Sequence, residues 1–186
     1  MIDILCLGEP LLEFNEQQPG QYVRSIGGDV SNVAVSVARQ GGQAGMLTRM
    51  GQDSFAEEIL HFWEREEIDT SRIIRDEEAP TGIYFISHGP SGHLFDYRRA
   101  GSASSRLKPN DIKKEHFQNV KILHLSGISL AISDNACEAS LRAVELAKGN
   151  GVKISFDTNL RLKLWSLSRA KAIIQHVASL ADFVLP

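Results

Sequence analysis

Cysteine is scarce in this chain. The two present, Cys6 and Cys137, fall in an apolar strand-like run and a helix-like run. That excludes a disulfide-framework protein and predicts two buried, reduced thiols. Basic excess is also missing: 20 Lys and Arg stand against 23 Asp and Glu, for a net charge of -3. No positive field invites nucleic acid, so none is expected as a partner. No apolar run is long enough to span a bilayer, so no membrane partner is expected either. The start, Met-Ile-Asp-Ile-Leu-Cys-Leu-Gly-Glu, has an acid at position 3 and no basic region, unlike a signal peptide. A soluble, cytoplasmic protein is the expectation. The six histidines (His61, His88, His93, His116, His124, His176) show no metal-ligand spacing. There is no GxSxG nucleophile elbow and no Walker P-loop.

What is present suits one globular domain with a sizeable core: 186 residues, 42% hydrophobic and 23% charged. Ile2 to Leu7 is a short apolar run stopped by Gly8, as in a strand buried on both faces. Leu11–Phe14 and Tyr22–Ile26 flank the turn cluster Gln17-Gln18-Pro19-Gly20 and predict a hairpin. A helix follows over about 29–40, then a strand over 43–49. Asp53 is the expected N-cap of an amphipathic helix over 54–66, where Phe55, Ile59, Leu60 and Trp63 share a face.

The period then changes to two. Residues 73–75, 81–87 and 93–99 predict antiparallel strands, with Gly89-Pro90-Ser91-Gly92 as the turn between the last two. With the first hairpin they suggest a small β lid, from about 11–27 and 70–100. Beyond it, the chain alternates: a short helical region at 109–117, strands at 121–126, 152–156 and 182–185, and helices at 135–148 and 168–180. Ser133 or Asp134 is the expected cap of the first of these helices, and Gly149 its stop. Such alternation predicts a mostly parallel sheet with helices on both faces. The sequence ends at Pro186, directly after a strand with no helix to cover it.

Chemistry is expected where strands end. Glu9, Ser126, Asp157, Asn159 and Arg161 all fall there, and Asn159 with Arg161 suits a polyoxygenated or anionic ligand. Gly27 and Gly28 open the first helix, allowing close backbone approach and positive φ. Asp29 or Ser31 is its expected cap. Asn32, one turn in, can both donate to and accept from a hydroxyl. Gly41-Gly42 supplies the stop. On the lid, alternation sets Tyr97 and Arg99 on one face with Tyr84 on the neighbouring strand.

These residues together resemble the ribokinase-like (PfkB) family of carbohydrate kinases. The family's first signature is matched by Gly27-Gly28-Asp29-Val30-Ser31-Asn32, Gly41-Gly42 and Gly51-Gln52-Asp53. Within the family the likeness is to the acid-sugar branch that acts on 2-keto-3-deoxygluconate. It is carried by Gly8-Glu9-Pro10, Phe95 to Ala103, Leu125 to Ile132 and Phe156 to Trp165.

The resemblance implies a ribokinase-like α/β fold with a β lid, often a homodimer joined through the lids. It also implies ATP-dependent, Mg²⁺-dependent phosphorylation of a sugar hydroxyl. It places Gly27, Gly28, Asn32, Tyr84, Tyr97, Arg99 and Arg161 around a small acid sugar, and Asn159 and Arg161 near the phosphates. A fructokinase- or ribokinase-type enzyme for a neutral sugar, or a non-catalytic sugar-binding or dimerisation module, are the competing expectations. The family's second signature, a late Gly-Ala-Gly-Asp carrying the catalytic base and anion hole, is absent. The resemblance therefore implies that the base Asp lies beyond Pro186. Residues 1–186 match the N-terminal part of one such domain, with no base assigned and no turnover expected of this chain alone.

Overall fold

The computed structural model describes residues 1–90 and 92–186. Ser91, in the expected turn after Gly89, lies outside the described residues. Two sheets form the structure. The larger holds β1 (Ile2–Leu7), β4 (Ala44–Gly51), β5 (Asp69–Asp76), β8 (Val120–Ser126), β9 (Lys153–Asp157) and β10 (Phe183–Leu185). Its order is β10-β9-β8-β1-β4-β5, and every described pairing is parallel.

The sheet is double-faced because its strands are apolar on both sides. Leu5, Leu7, Leu123, Leu125 and Phe156 point into one core, under α4 (Asp134–Gly149) and α5 (Leu167–Leu180). Cys6, Met46 and Met50 point into the other, under α1 (Asp29–Arg39) and α2 (Ser54–Arg65). Trp63 anchors this second core: its ring is fully buried and Nε1 donates to Ser31 Oγ at 3.1 Å, tying α2 to α1. Burial of such a ring stabilises by roughly 1.5–3 kcal/mol. Cys6 and Cys137 are both buried and free.

The smaller sheet, in the order β3-β2-β6-β7, comprises β2 (Leu11–Gln18), β3 (Gln21–Gly27), β6 (Ile83–Gly89) and β7 (Gly92–Arg98). Its two hairpins are antiparallel, but β2 and β6 join them in parallel. Phe14 of β2 meets Phe55 of α2 edge to face, with centroids 6.0 Å apart, and holds this lid to the main body.

Several sequence expectations are corrected. Residues 73–75 belong to β5, the parallel edge strand of the main sheet, not to the lid. Strand patterning shows which side chains face inward, but a strand joins the sheet whose free edge its register fits. The first hairpin turns at Pro19-Gly20 alone, because Gln17 and Gln18 continue β2. Neither Asp29 nor Ser31 caps α1: Gly28 takes the N-cap position with φ 103° and there is no side-chain cap. Ser133 caps α4, whereas Gly149 is still helical and Gly151 takes the positive φ of 72°. The region 104–117 forms three short 3₁₀ turns. A five-residue helix, α3 (Gly127–Ala131), follows β8 where a simple strand end was expected. The last strand is placed as expected: β10 pairs with β9 at the edge of the main sheet, its three residues exposed, and Pro186 follows it, also exposed. No helix among the described residues is long and apolar enough to cross a membrane.

Candidate functional site

From β1 the chain builds the sheet outward through β4 and β5, then returns to the other side of β1 with β8. The strand order reverses there, and such a switch leaves a crevice outside the carboxyl ends of the strands. A pocket of about 200 Å³ occupies it, below the roughly 300–1,000 Å³ of drug-sized ligand sites. Glu9 enters it from the end of β1, Leu11 from the start of β2, and Gly28, Asp29 and Asn32 from the start of α1. Ile128 comes from α3, Asn159 and Arg161 from the loop after β9, and Tyr84, Tyr97 and Arg99 from the lid.

Gly28 is glycine for a physical reason. At φ 103° a Cβ would sit 2.4 Å from the Glu9 carbonyl oxygen, so only glycine lets the chain into α1 pass this close to the end of β1. The next side chain then turns inward. Asp29 Oδ2 accepts from the Ser126 hydroxyl and from Asn159 Nδ2 at 3.2 Å, while Oδ1 accepts from the Val30 N–H at 2.9 Å. Asp29 thus clamps the ends of β8 and β9 together. Asn159 itself is left-handed (φ 31°), and its N–H donates to Asp157 Oδ1 at 3.0 Å, a turn that lifts Arg161 to the rim. Arg161 is exposed and donates from Nη1 to the Leu160 carbonyl at 3.2 Å.

The lid forms the opposite wall. Tyr84 and Tyr97 are a cross-strand pair with stacked rings, centroids 5.3 Å apart. The Arg99 guanidinium lies over the Tyr97 ring at 4.3 Å, a cation–π contact. The Tyr84 hydroxyl donates to Glu13, and burial together with that bond raises its pKa. Tyr84 therefore offers the pocket its ring face rather than a free hydroxyl. Gly27 does not line the pocket: it is buried beneath Tyr84, where a Cβ would meet the phenol oxygen at 2.5 Å.

Behind Arg99 sits Glu9, 2% exposed. Its Oε1 accepts from the Ser102 hydroxyl at 3.0 Å and its Oε2 lies 3.3 Å from Arg99 Nε. Burial pushes its carboxyl up to about 7; Arg99 and Ser102 oppose that shift and the charge of Asp29 adds to it. A larger groove of about 920 Å³ lies between β3 and helices α1 and α2. Most of its charges are engaged with one another or with neighbours: Arg24 with Glu58, Glu57 with Arg75, Arg39 with Glu66, while Arg65 lies 5.8 Å over the Phe62 ring. The smaller pocket, with free guanidinium and amide edges, is the better ligand site.

Of the residues expected from sequence, Gly28, Asn32, Tyr84, Tyr97, Arg99, Asn159 and Arg161 come together, and Gly27 supports from behind. Pro186, past which the base was expected, is not among the residues that line the pocket. Sequence reasoning missed Leu11, Asp29 and Ile128 as pocket residues. Asp29 has the side chain of a helix cap, and its inward turn follows only from the Gly28 backbone. Ile128 depends on α3, whose signal was the Ser126-Gly127-Ile128-Ser129 run with Ser126 as cap.

The model for the pfkB family of carbohydrate kinases matches residues 1–186, and the chain belongs to that family. It is 34% identical to 2-dehydro-3-deoxygluconokinase of Thermoproteus tenax, over 100% of this chain and 59% of that protein. It is 31% identical to probable fructokinase-3 of Arabidopsis thaliana, over 97% of this chain and 55% of the relative. Among solved structures, the PfkB protein from Polaromonas sp. JS666 superposes with a TM-score of 0.94 at 30% identity, over 100% of this chain and 65% of that one. Fructokinase with bound ATP from Xylella fastidiosa gives 0.90 at 26% identity, over 98% and 56%. The chain thus spans between 55% and 65% of the length of these relatives.

Proposed function

We propose that the full-length protein transfers a phosphoryl group from ATP to a hydroxyl of an acid sugar, 2-keto-3-deoxygluconate. In this reading the present chain supplies the sugar pocket and its lid. The observation that carries it is Arg99. Its Nε lies 3.3 Å from Glu9 Oε2 and its face lies over the Tyr97 ring, and no described residue accepts a hydrogen bond from Nη1 or Nη2. A fork left open in this way fits a carboxylate bidentately. A carboxylate leaving water needs such a partner, because burying it unpaired is costly. Asn32 and the clamped Asp29 suit the hydroxyls, and the Tyr97 phenol the keto end.

ATP supplies the phosphoryl group when bound, and Mg²⁺ neutralises charge on its phosphates. The Asn159 amide and the exposed Arg161 guanidinium stand at the open rim of the pocket and fit an incoming phosphate. The described residues hold no cluster of three or more His, Cys, Asp or Glu able to cage a metal. That fits a cation held largely by phosphates and water. The chain's own residues bind and orient the sugar and, through the lid, keep water from it. No base is assigned among them. In this reading the base Asp belongs to sequence that follows Pro186 in the full-length protein, so the 186-residue chain alone is expected to release no ADP.

The fructokinases among the relatives support a second reading, a kinase for a neutral ketose. The deciding measurement is kcat/KM of the full-length protein for 2-keto-3-deoxygluconate and for fructose. Preference for the acid sugar supports the first reading; preference for fructose hands the function to the second.

A further inference from the structure

Glu9 and Arg99 form a buried pair that is left incomplete. Their facing atoms, Oε2 and Nε, lie 3.3 Å apart without hydrogen-bond alignment, and both are buried with no hydrogen-bond partner. Buried polar groups are nearly always paired, so an unpaired atom on each side of one contact calls for a functional explanation. Around Glu9 the charged groups are few. Arg99 reaches it from the end of β7, and Asp29 faces it from the start of α1. Ser102 supplies a neutral hydroxyl to Oε1. Across the pocket stand Tyr84 of β6, whose hydroxyl is held by Glu13 of β2, then Tyr97 of β7, and Arg161 after β9.

An anion that engages Nη1 and Nη2 must share Arg99 with Glu9. Three carboxylates, those of Glu9, Asp29 and the ligand, would then share the pocket with two guanidiniums, Arg99 beside Glu9 and Arg161 out at the exposed rim. Like charges this close do not all stay ionised. Asp29 accepts three hydrogen bonds, from Val30, Ser126 and Asn159. Glu9 accepts from Ser102 alone, and burial already brings its carboxyl up to about 7. The ligand's own carboxylate is far more acidic and stays ionised at neutral pH.

We propose, building on the acid-sugar reading, that Glu9 is the positioning residue for Arg99 and takes one proton from solvent when a sugar carboxylate engages the Arg99 fork. Acid-sugar binding is then proton-linked. Below neutrality Glu9 is protonated with or without the sugar, and no proton moves. Above it, the free protein has lost that proton and the complex retains it, so affinity falls as pH rises.

The test is calorimetric titration of the full-length protein with 2-keto-3-deoxygluconate, in buffers of low and high ionisation enthalpy. At pH 8 uptake of more than about half a proton is expected, and at pH 6 less than about a fifth. The dissociation constant should rise about fivefold or more between pH 6.5 and 8.5. Glu9→Gln should abolish the uptake and flatten the pH dependence. Should that variant fail to fold, Ser102→Ala removes only the bond to Oε1 and should move the uptake window to higher pH. Binding of the acid sugar to the wild type at pH 8 without proton uptake overturns this inference alone, as does uptake that survives in Glu9→Gln. Fructose binding in place of the acid sugar overturns the acid-sugar reading and this inference with it.

Discussion

Arg99 and Glu9 show how far a single residue's meaning depends on its surroundings. By alternation Arg99 belongs on the face shared with Tyr97, and it is found there, 4.3 Å over the ring. Nothing along the chain links it to Glu9, which precedes it by 90 positions. A guanidinium lying against a buried carboxylate and over one ring loses little freedom when it binds, so most of its interaction should appear as affinity. Arg99→Ala in the full-length enzyme should therefore lower kcat/KM for the acid sugar by about 2–4 kcal/mol in transition-state terms. A neutral ketose should lose far less. Equal losses on both sugars would show that Arg99 shapes the lid rather than pairing with a carboxylate.

At the level of elements, the junction between β3 and α1 organises the pocket. Gly28 combines a left-handed backbone with contact against the Glu9 main chain, and neither is easily relieved, because Glu9 is buried. Gly41, past the other end of α1, has φ +84° but open space around its Cβ position. The two glycines separate strain from clash. Gly41→Ala should cost about 1 kcal/mol, from the backbone conformation alone. Gly28→Ala should cost about 2–4 kcal/mol, because the clash adds to it. Urea denaturation of the full-length protein measures both, and similar losses would mean that the crossing at Glu9 relaxes freely. The Gly pairs at both ends of this helix were legible from sequence, since glycine marks where a backbone turns. The capping role expected of Asp29 was not, because a cap requires backbone geometry that Gly28 itself occupies.

Across the whole molecule, one face of the lid remains unpartnered. Val23, Phe95 and Tyr97 share it and are 56%, 51% and 44% exposed. Leu94, 58% exposed, points to the opposite face by strand alternation. An apolar sheet face of this kind favours association with its own copy, and a homodimer through the lids is the expected assembly. In sedimentation velocity, Phe95→Asp should give monomers, whereas Leu94→Asp should leave the assembly unchanged. A dimer indifferent to Phe95→Asp would place the interface elsewhere.

The sequence by itself determined the main strands and the long helices. Apolar runs closed by glycine marked the buried strands, helical spacing marked α2, and the change to period two marked the lid. Each of these follows from side-chain direction over a few residues, and so did the gathering of polar groups at strand ends. Only the tertiary structure decided partners. It assigned β5 to the main sheet, joined the two lid hairpins through the parallel β2–β6 pairing, turned Asp29 onto Ser126 and Asn159, and set Glu9 against Arg99. The reason is one of range. A local pattern says which side of a strand is buried, whereas a hydrogen bond or ion pair between distant residues depends on strand order, and strand order is settled by the free edges and faces of the whole fold.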